Sequence, residues 1–327
     1  MPECRKLLVI GATGLIGSHI MRHILKRKAS FDRIVVFTSH NTVKTKPGEI
    51  AKLEQEGVEI VLGDLSNTEE VARAFQDVDT VISAVGRNMI EHQIELIRIA
   101  DKTPNIHRFF PSEYGTDIEY SPRSASEKPH QKKLRVRAAL RSCKNLDYTF
   151  LVTGPYANGE PGLYFSANYG AKHAGSFDVK AKTAFLIGDG NLKISFTTMN
   201  DVGKLVVLAL LHPEASRNKA LRVNSFTATD AQILAEFEKQ LGGESFRVSY
   251  TGLKELKRLE NEAWHTSNPL ATLITLRRIW AEGGTLYEGR DNAVIEGGDV
   301  VETLEDAVAD AVMAQMQREQ DMKRKLV

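Results

Sequence analysis

Apolar residues in the first half of the chain fall into short unbroken runs, separated by stretches in which apolar positions recur every three or four residues. Runs at 6–10, 33–38, 58–62, 78–83, 108–111 and 147–152 read as β-strands buried on both faces, the pattern of a parallel sheet. The intervening segments 16–28, 49–56, 68–75, 89–100 and 128–142 read as helices. Such strand-helix alternation predicts an α/β fold with a doubly wound parallel sheet. After residue 153 the pattern weakens, and glycine and proline gather from Thr153-Gly154-Pro155-Tyr156 to Gly162, which predicts a domain boundary. Beyond it, 184–187 and 193–196 flank Gly188-Asp189-Gly190-Asn191 as a hairpin. Asp201 reads as the N-cap of a helix over 202–211. A strand is expected at 221–224, and helices at 229–241, 253–264 and 304–316.

The first strand runs directly into Gly11-Ala12-Thr13-Gly14-Leu15-Ile16-Gly17, with a helical pattern following at once. Strand, glycine turn and helix form a cradle for dinucleotide phosphates. Glycine lets the backbone approach the pyrophosphate, whose charge meets free amides at the helix N-terminus. The spacing is a variant of Gly-x-Gly-x-x-Gly, and its position in the first unit of the chain supports a Rossmann-type reading. The end of the second strand bears on cofactor choice. A carboxylate there would hold a ribose 2′-hydroxyl and repel a 2′-phosphate. This chain has Thr38-Ser39-His40-Asn41 followed by Lys44 and Lys46, hydroxyls and cations that favour NADPH. Asp64 reads equally as an adenine contact or as the start of a turn. The small-residue end of the fourth strand, Ala84-Val85-Gly86, lies where a doubly wound sheet passes its ligand, and Gln93 follows on the next helix.

With 327 residues there is length for one large or two modest domains. Hydrophobic and charged fractions of 42% and 26% argue against disorder, and a net charge of +1 against a nucleic-acid partner. Cys4 and Cys143 lack metal-ligand spacing and read as free thiols. No run approaches a membrane span, and with no leader before the strand at residue 6 a cytoplasmic protein is expected. No cluster of histidine, cysteine and carboxylates suggests a metal.

The helix at 128–142 is basic, with Val136, Leu140 and Cys143 forming its inward stripe. Lys132 and Lys133 both lie beside that stripe, and periodicity does not choose between them. A lysine desolvated next to a cofactor has its pKa lowered toward useful acid/base values. Tyr-x-x-x-Lys, the proton-donating pair of many short-chain reductases, occurs only as Tyr250/Lys254, late in the chain and on a strand-like run. It reads as coincidence.

Gly11–Gly17, the Gly63-Asp64 turn, Arg108-Phe109-Phe110-Pro111-Ser112-Glu113-Tyr114-Gly115 and the lysine-bearing helix resemble the isoflavone reductase-like branch of the NmrA-like atypical short-chain dehydrogenases, which includes phenylcoumaran benzylic ether and pinoresinol-lariciresinol reductases. Gly188-Asp189-Gly190 and Asn200-Asp201-Val202-Gly203 extend the likeness over nearly the whole chain. The resemblance implies a Rossmann domain for NADP at 1–153 and a smaller substrate domain at 154–327, with segments near 184–226 contributing to the first sheet. It implies a catalytic lysine at Lys133, also beside the cofactor, and an NADPH-dependent reductase of a small aromatic or conjugated molecule. The aromatics gathered past the boundary, Tyr156, Tyr164, Phe165 and Tyr169, read either as the lining of a pocket for a planar substrate or as core. Tyr156, Phe165 and Tyr169 are the pocket candidates, with Tyr156 also reaching the cofactor. Where the family commonly has arginine at the end of the second strand this chain has Thr38, leaving Lys44 or Lys46 as substitutes. The competing reading is an NmrA-type sensor that binds NADP(H) without chemistry. A monomer or homodimer is expected.

Overall fold

The computed structural model describes residues 4–298 and 300–325, with side chains described as far as residue 317. Its first half alternates β1 (Lys6–Ile10), α1 (Leu15–Lys26), β2 (Arg33–Thr38), α2 (His40–Thr45), α3 (Pro47–Gln55), β3 (Glu59–Leu62), α4 (Thr68–Ala74), β4 (Thr80–Ser83), α5 (Gln93–Lys102), β5 (Arg108–Phe110), α6 (Pro122–Ser126), α7 (Gln131–Arg141) and β6 (Asp147–Val152). A 3-10 turn, Arg87–His92, precedes α5, and another, Lys128–His130, leads into α7.

These strands and one from the second half of the chain, β10 (Lys219–Arg222), form a parallel sheet in the order β10-β6-β5-β4-β1-β2-β3. Ile10 is level with Phe37 on one side and Ser83 on the other, so the carboxyl ends of β1, β2 and β4 open at one rim. Chain order reverses across β1 and β4, the switch point at which ligands bind in such sheets. Leu7 and Val9 enter one core with Ile20, Ile24 and Val206, while Leu8 and Ile10 enter the opposite core with Phe75, Leu96 and Val136. A strand buried on both faces has no polar alternation, which is why β1 reads as a continuous apolar run.

The second half continues with β7 (Ser176–Asp178), β8 (Thr183–Ile187), β9 (Lys193–Phe196), α8 (Met199–Leu211), α9 (Pro213–Ser216), β10 (Lys219–Arg222), β11 (Phe226–Thr229), α10 (Asp230–Gln240), β12 (Arg247–Thr251), α11 (Leu253–His265), α12 (Ala271–Ala281) and α13 (Leu304–Lys325). The chain returns to the large sheet here: β10 pairs in parallel with β6, and α8 packs across α1. That contact is close, since a Cβ on Gly203 would lie 2.4 Å from the His19 carbonyl oxygen. The remaining strands form two small sheets.

Two local expectations are corrected. The strands around Gly188–Asn191 are not a hairpin. β8 pairs antiparallel with β7 and parallel with β12, so both of its edges are used, and β9 pairs with β11 instead. The glycine turn, with φ of +67° at Gly188 and +81° at Gly190, hands the chain from one sheet to the other. The cap of α8 is Thr198, whose hydroxyl accepts from the Asp201 amide. Asp201 lies inside the first turn, buried, accepting from Ser225 Oγ at 2.6 Å, the Glu302 amide at 2.7 Å and Lys204 Nζ at 2.8 Å.

Candidate active site

The glycines between β1 and α1 are dictated by their neighbours. Gly11 has φ of +81°, and a Cβ there would fall 2.5 Å from the Ala84 carbonyl oxygen; on Gly17 it would fall 2.0 Å from that of Gly11. The loop is therefore folded onto itself and onto the end of β4. Gly14 caps α1 without a side-chain hydrogen bond, and the first turn carries no acid. Its amides are thus available to an anion, with no acid in that turn to oppose one. Ala12 is buried, Thr13 and Ile16 are half-buried at this turn, and Leu15 is exposed.

At the end of β2, Thr38 is half-buried, and Ser39 caps the short helix α2 by accepting from the Thr42 amide. His40 and Lys44 are exposed. Lys46 folds back so that its ammonium donates to the Thr13 carbonyl, which brings a cation 33 residues away in sequence onto the glycine loop. Asp64 is exposed, and its carboxylate accepts from the amide and hydroxyl of Ser66, the turn-starting arrangement.

Ala84 and Val85 are buried at the end of β4, and Gly86 is exposed. Two hydrogen bonds lock this end to the loop after β5: Ser112 Oγ donates to the Val85 carbonyl, and Gln93 Oε1 accepts from the Ser112 amide, both at 2.8 Å. Gln93 Nε2 donates to the Ile90 carbonyl. Both ends of this amide are engaged by backbone, so Gln93 acts as a strut between the 3-10 turn and the Ser112 loop rather than as a free cofactor contact.

Lys133 is half-buried on α7, and its ammonium donates to the Glu113 carbonyl above Gly115, where a Cβ would lie 3.6 Å from Nζ. Lys132, the alternative on the same helix, is exposed and ion-paired with Glu91. Burial pulls the Lys133 pKa down to about 8; the Glu113 carboxylate works against this shift, and the cations Arg87 and Arg137 add to it. Glu113 belongs to a buried network. Arg137 bonds Glu113 at 2.8 Å, Asp117 at 3.3 Å and Glu119 at 2.8 Å, while Arg141 bonds Glu119 and Arg222 bonds Asp117.

Tyr156 is half-buried beside this loop, its hydroxyl donating to the Tyr114 carbonyl at 2.6 Å. Tyr114 is buried, and its own hydroxyl has no hydrogen-bond partner among the described residues. The other two pocket candidates lie elsewhere. Phe165 is 0% exposed, within the aromatic interior made with Phe177, Phe196 and Phe237, so it builds the core of the second half. Tyr169 is 78% exposed. The geometry thus brings a helix terminus without a side-chain cap and a desolvated lysine to one sheet rim.

The model of the NmrA-like family matches residues 3–284. The chain belongs to that family. Among its relatives in the family, it is 28% identical to an isoflavone reductase of Pisum sativum over 95% of this chain and 98% of the pea protein. It is 25% identical to phenylcoumaran benzylic ether reductase 1 of Arabidopsis thaliana over 96% and 99% of the two chains. The fold is also that of the leucoanthocyanidin reductase of Vitis vinifera solved as a binary complex with NADPH, with a TM-score of 0.77 and 19% identity over 94% of this chain and 99% of that one.

Among the features that sequence reasoning passed over, Arg87, Tyr114 and the Glu113–Arg137 network stand out in this family member. Arg87 directly follows Ala84-Val85-Gly86, and that adjacency was the available signal. Nothing in the sequence pattern marks Arg137 as buried, since it sits among five other cations on the 128–142 segment.

Proposed function

We propose that this chain is an NADPH-dependent reductase of a small aromatic or conjugated molecule, with Lys133 exchanging the proton. The residues fit the cofactor. The Gly11–Gly17 turn leaves amides free for the pyrophosphate, Lys46 and Lys44 offer cations near a β2 end that has no carboxylate, and Tyr114 carries a buried hydroxyl in need of a partner. When bound, NADPH supplies hydride to an electron-poor carbon. Lys133 holds the proton that the substrate oxygen or nitrogen takes up, and its lowered pKa brings it nearer neutral pH, where an acid transfers its proton most effectively. The Ser112 and Gln93 hydrogen bonds keep the loop carbonyl of Glu113 against the ammonium, which orients it. The kinship with isoflavone and phenylcoumaran benzylic ether reductases supports the aromatic or conjugated substrate class.

The observation that carries this reading is the Lys133 ammonium, desolvated at the rim onto which the glycine turn opens. The test is an NADPH-oxidation screen over phenolic, enone and imine compounds, run beside a fluorescence titration of NADPH. Turnover that Lys133→Met abolishes while NADPH affinity stays within a few fold supports the reductase. Cofactor binding with no consumption by any compound, and full turnover in Lys133→Met on an identified substrate, both count against it.

A further inference from the structure

Arg87 is the first residue of the 3-10 turn that leaves the end of β4, and that turn packs against α7, the helix carrying Lys133. Its guanidinium is close enough to Lys133 and to Tyr156 to act electrostatically on both. Among the described residues it has no ion pair and no hydrogen bond.

The surrounding charges explain why it is left over. Three carboxylates, Glu113, Asp117 and Glu119, are matched by three guanidiniums, Arg137, Arg141 and Arg222. Glu91, the acid of the 3-10 turn itself, is turned to Arg135 at 2.7 Å and Lys132 at 3.3 Å. Arg87 is exposed two residues beyond Val85, whose carbonyl takes the Ser112 hydroxyl, and Ser112 adjoins Glu113, whose carbonyl takes the Lys133 ammonium. Arg87 and Lys133 therefore share one rim, and among the described residues neither forms an ion pair with a carboxylate. Arg87 is also distinct from the cations suited to a 2′-phosphate. Lys44 and Lys46 follow β2, on the far side of β1 in the sheet order, whereas Arg87 follows β4. Two cations within electrostatic reach raise each other's energy, and an anion bound between them relieves the cost. Arginine adds a planar fork that matches a carboxylate in two parallel hydrogen bonds, a geometry a neutral ester or phenol does not complete.

We propose that Arg87 makes this site select aromatic substrates carrying an ionised carboxylate, which it anchors beside Lys133. This inference rests on the reductase reading of the same crevice, and it assigns Arg87 as a binding and specificity residue. Cofactor binding does not depend on it.

The experiment is calorimetric titration of the NADP+-saturated protein with paired aromatic acids and their methyl esters (benzoate, cinnamate and 4-hydroxycinnamate), in wild type, Arg87→Met and Arg87→Lys. Wild type is expected to bind at least one acid about tenfold or more tightly than its ester, the scale of a charge-assisted pair. Arg87→Met brings acid and ester within about twofold, and Arg87→Lys recovers part of the difference, because a point charge remains without the fork. NADP+ affinity and the thermal midpoint stay as in wild type. An absence of acid preference in wild type, including binding of no acid at all, overturns the proposal. So does a preference that survives Arg87→Met, or a loss of NADP+ affinity in that variant, which would assign Arg87 to the cofactor. Failure of the reductase reading looks different: wild type does not bind NADP(H), or Lys133→Met keeps full turnover. An acid preference dependent on Arg87 in a protein without turnover would leave the anion site standing and the chemistry in error.

Discussion

The ammonium of Lys133 hydrogen-bonds the backbone carbonyl of Glu113, while the carboxylate of that same Glu113 is held 2.8 Å from Arg137, one helical turn further along α7. One residue thus receives both cations of the helix face, with its backbone toward the site and its charge toward the core. The separation matters because Lys133 gains a neutral acceptor, and the glutamate charge that would otherwise hold it fully protonated is spent on Arg137.

The first expected outcome concerns rate against pH. In the reducing direction the proton ends on the substrate, so Lys133 must start charged. Turnover should be flat below about 8 and fall tenfold per pH unit above it. Lys133→Met should lower kcat by roughly 10²–10⁴-fold and erase that limb. A pH series of kcat in both proteins checks this.

The same shift links to stability. In the folded state the Lys133 pKa lies near 8, below its ordinary 10.5, so between these values the unfolded chain binds more protons than the native one. Stability from this residue therefore rises with pH across that window. Denaturant titrations from pH 8 to 10.5 should show the wild type gaining relative to Lys133→Met.

Arg137 is 1% exposed and contacts three carboxylates. Arg137→Met leaves Glu113 buried without its cation, and a loss of about 3–5 kcal/mol is expected from such an uncompensated charge. Chemical denaturation measures it. A loss below about 1 kcal/mol would mean that the network contributes little.

Gly17→Ala directs a methyl group to within 2.0 Å of the Gly11 carbonyl oxygen, a backbone atom that cannot swing aside. The turn must open, so NADPH affinity should fall by more than tenfold and the thermal midpoint should drop. By contrast, Gly48→Ala meets nothing within 4 Å and should leave both unchanged.

On the proposal that Lys46 meets the 2′-phosphate, Lys46→Ala should weaken NADPH by about tenfold, the scale of a charge-assisted contact, and leave NADH nearly untouched. Lys44→Ala separates the two lysines. If it alone reproduces the effect, the selectivity belongs to the exposed residue rather than to the one folded onto Thr13.

By itself the sequence determined the sheet and the cradle. Strands buried on both faces leave unbroken apolar runs, and a turn pressed against a neighbouring carbonyl admits only glycine, so both are written locally at 6–17. It also led to Lys133, where periodicity stopped at two adjacent lysines and the family register chose one. What the tertiary structure decided depends on neighbours distant in the chain. The strand β8 found its partners in β7 and β12 because its edges were filled from outside the turn. Phe165 went to the core and Tyr169 to the surface, although both are aromatics of one segment, because burial depends on what packs over each of them. Arg87 and Arg137 are alike as residue types. Only the carboxylates gathered from residues 113–119 around one of them distinguish a buried strut from a cation left free at the rim.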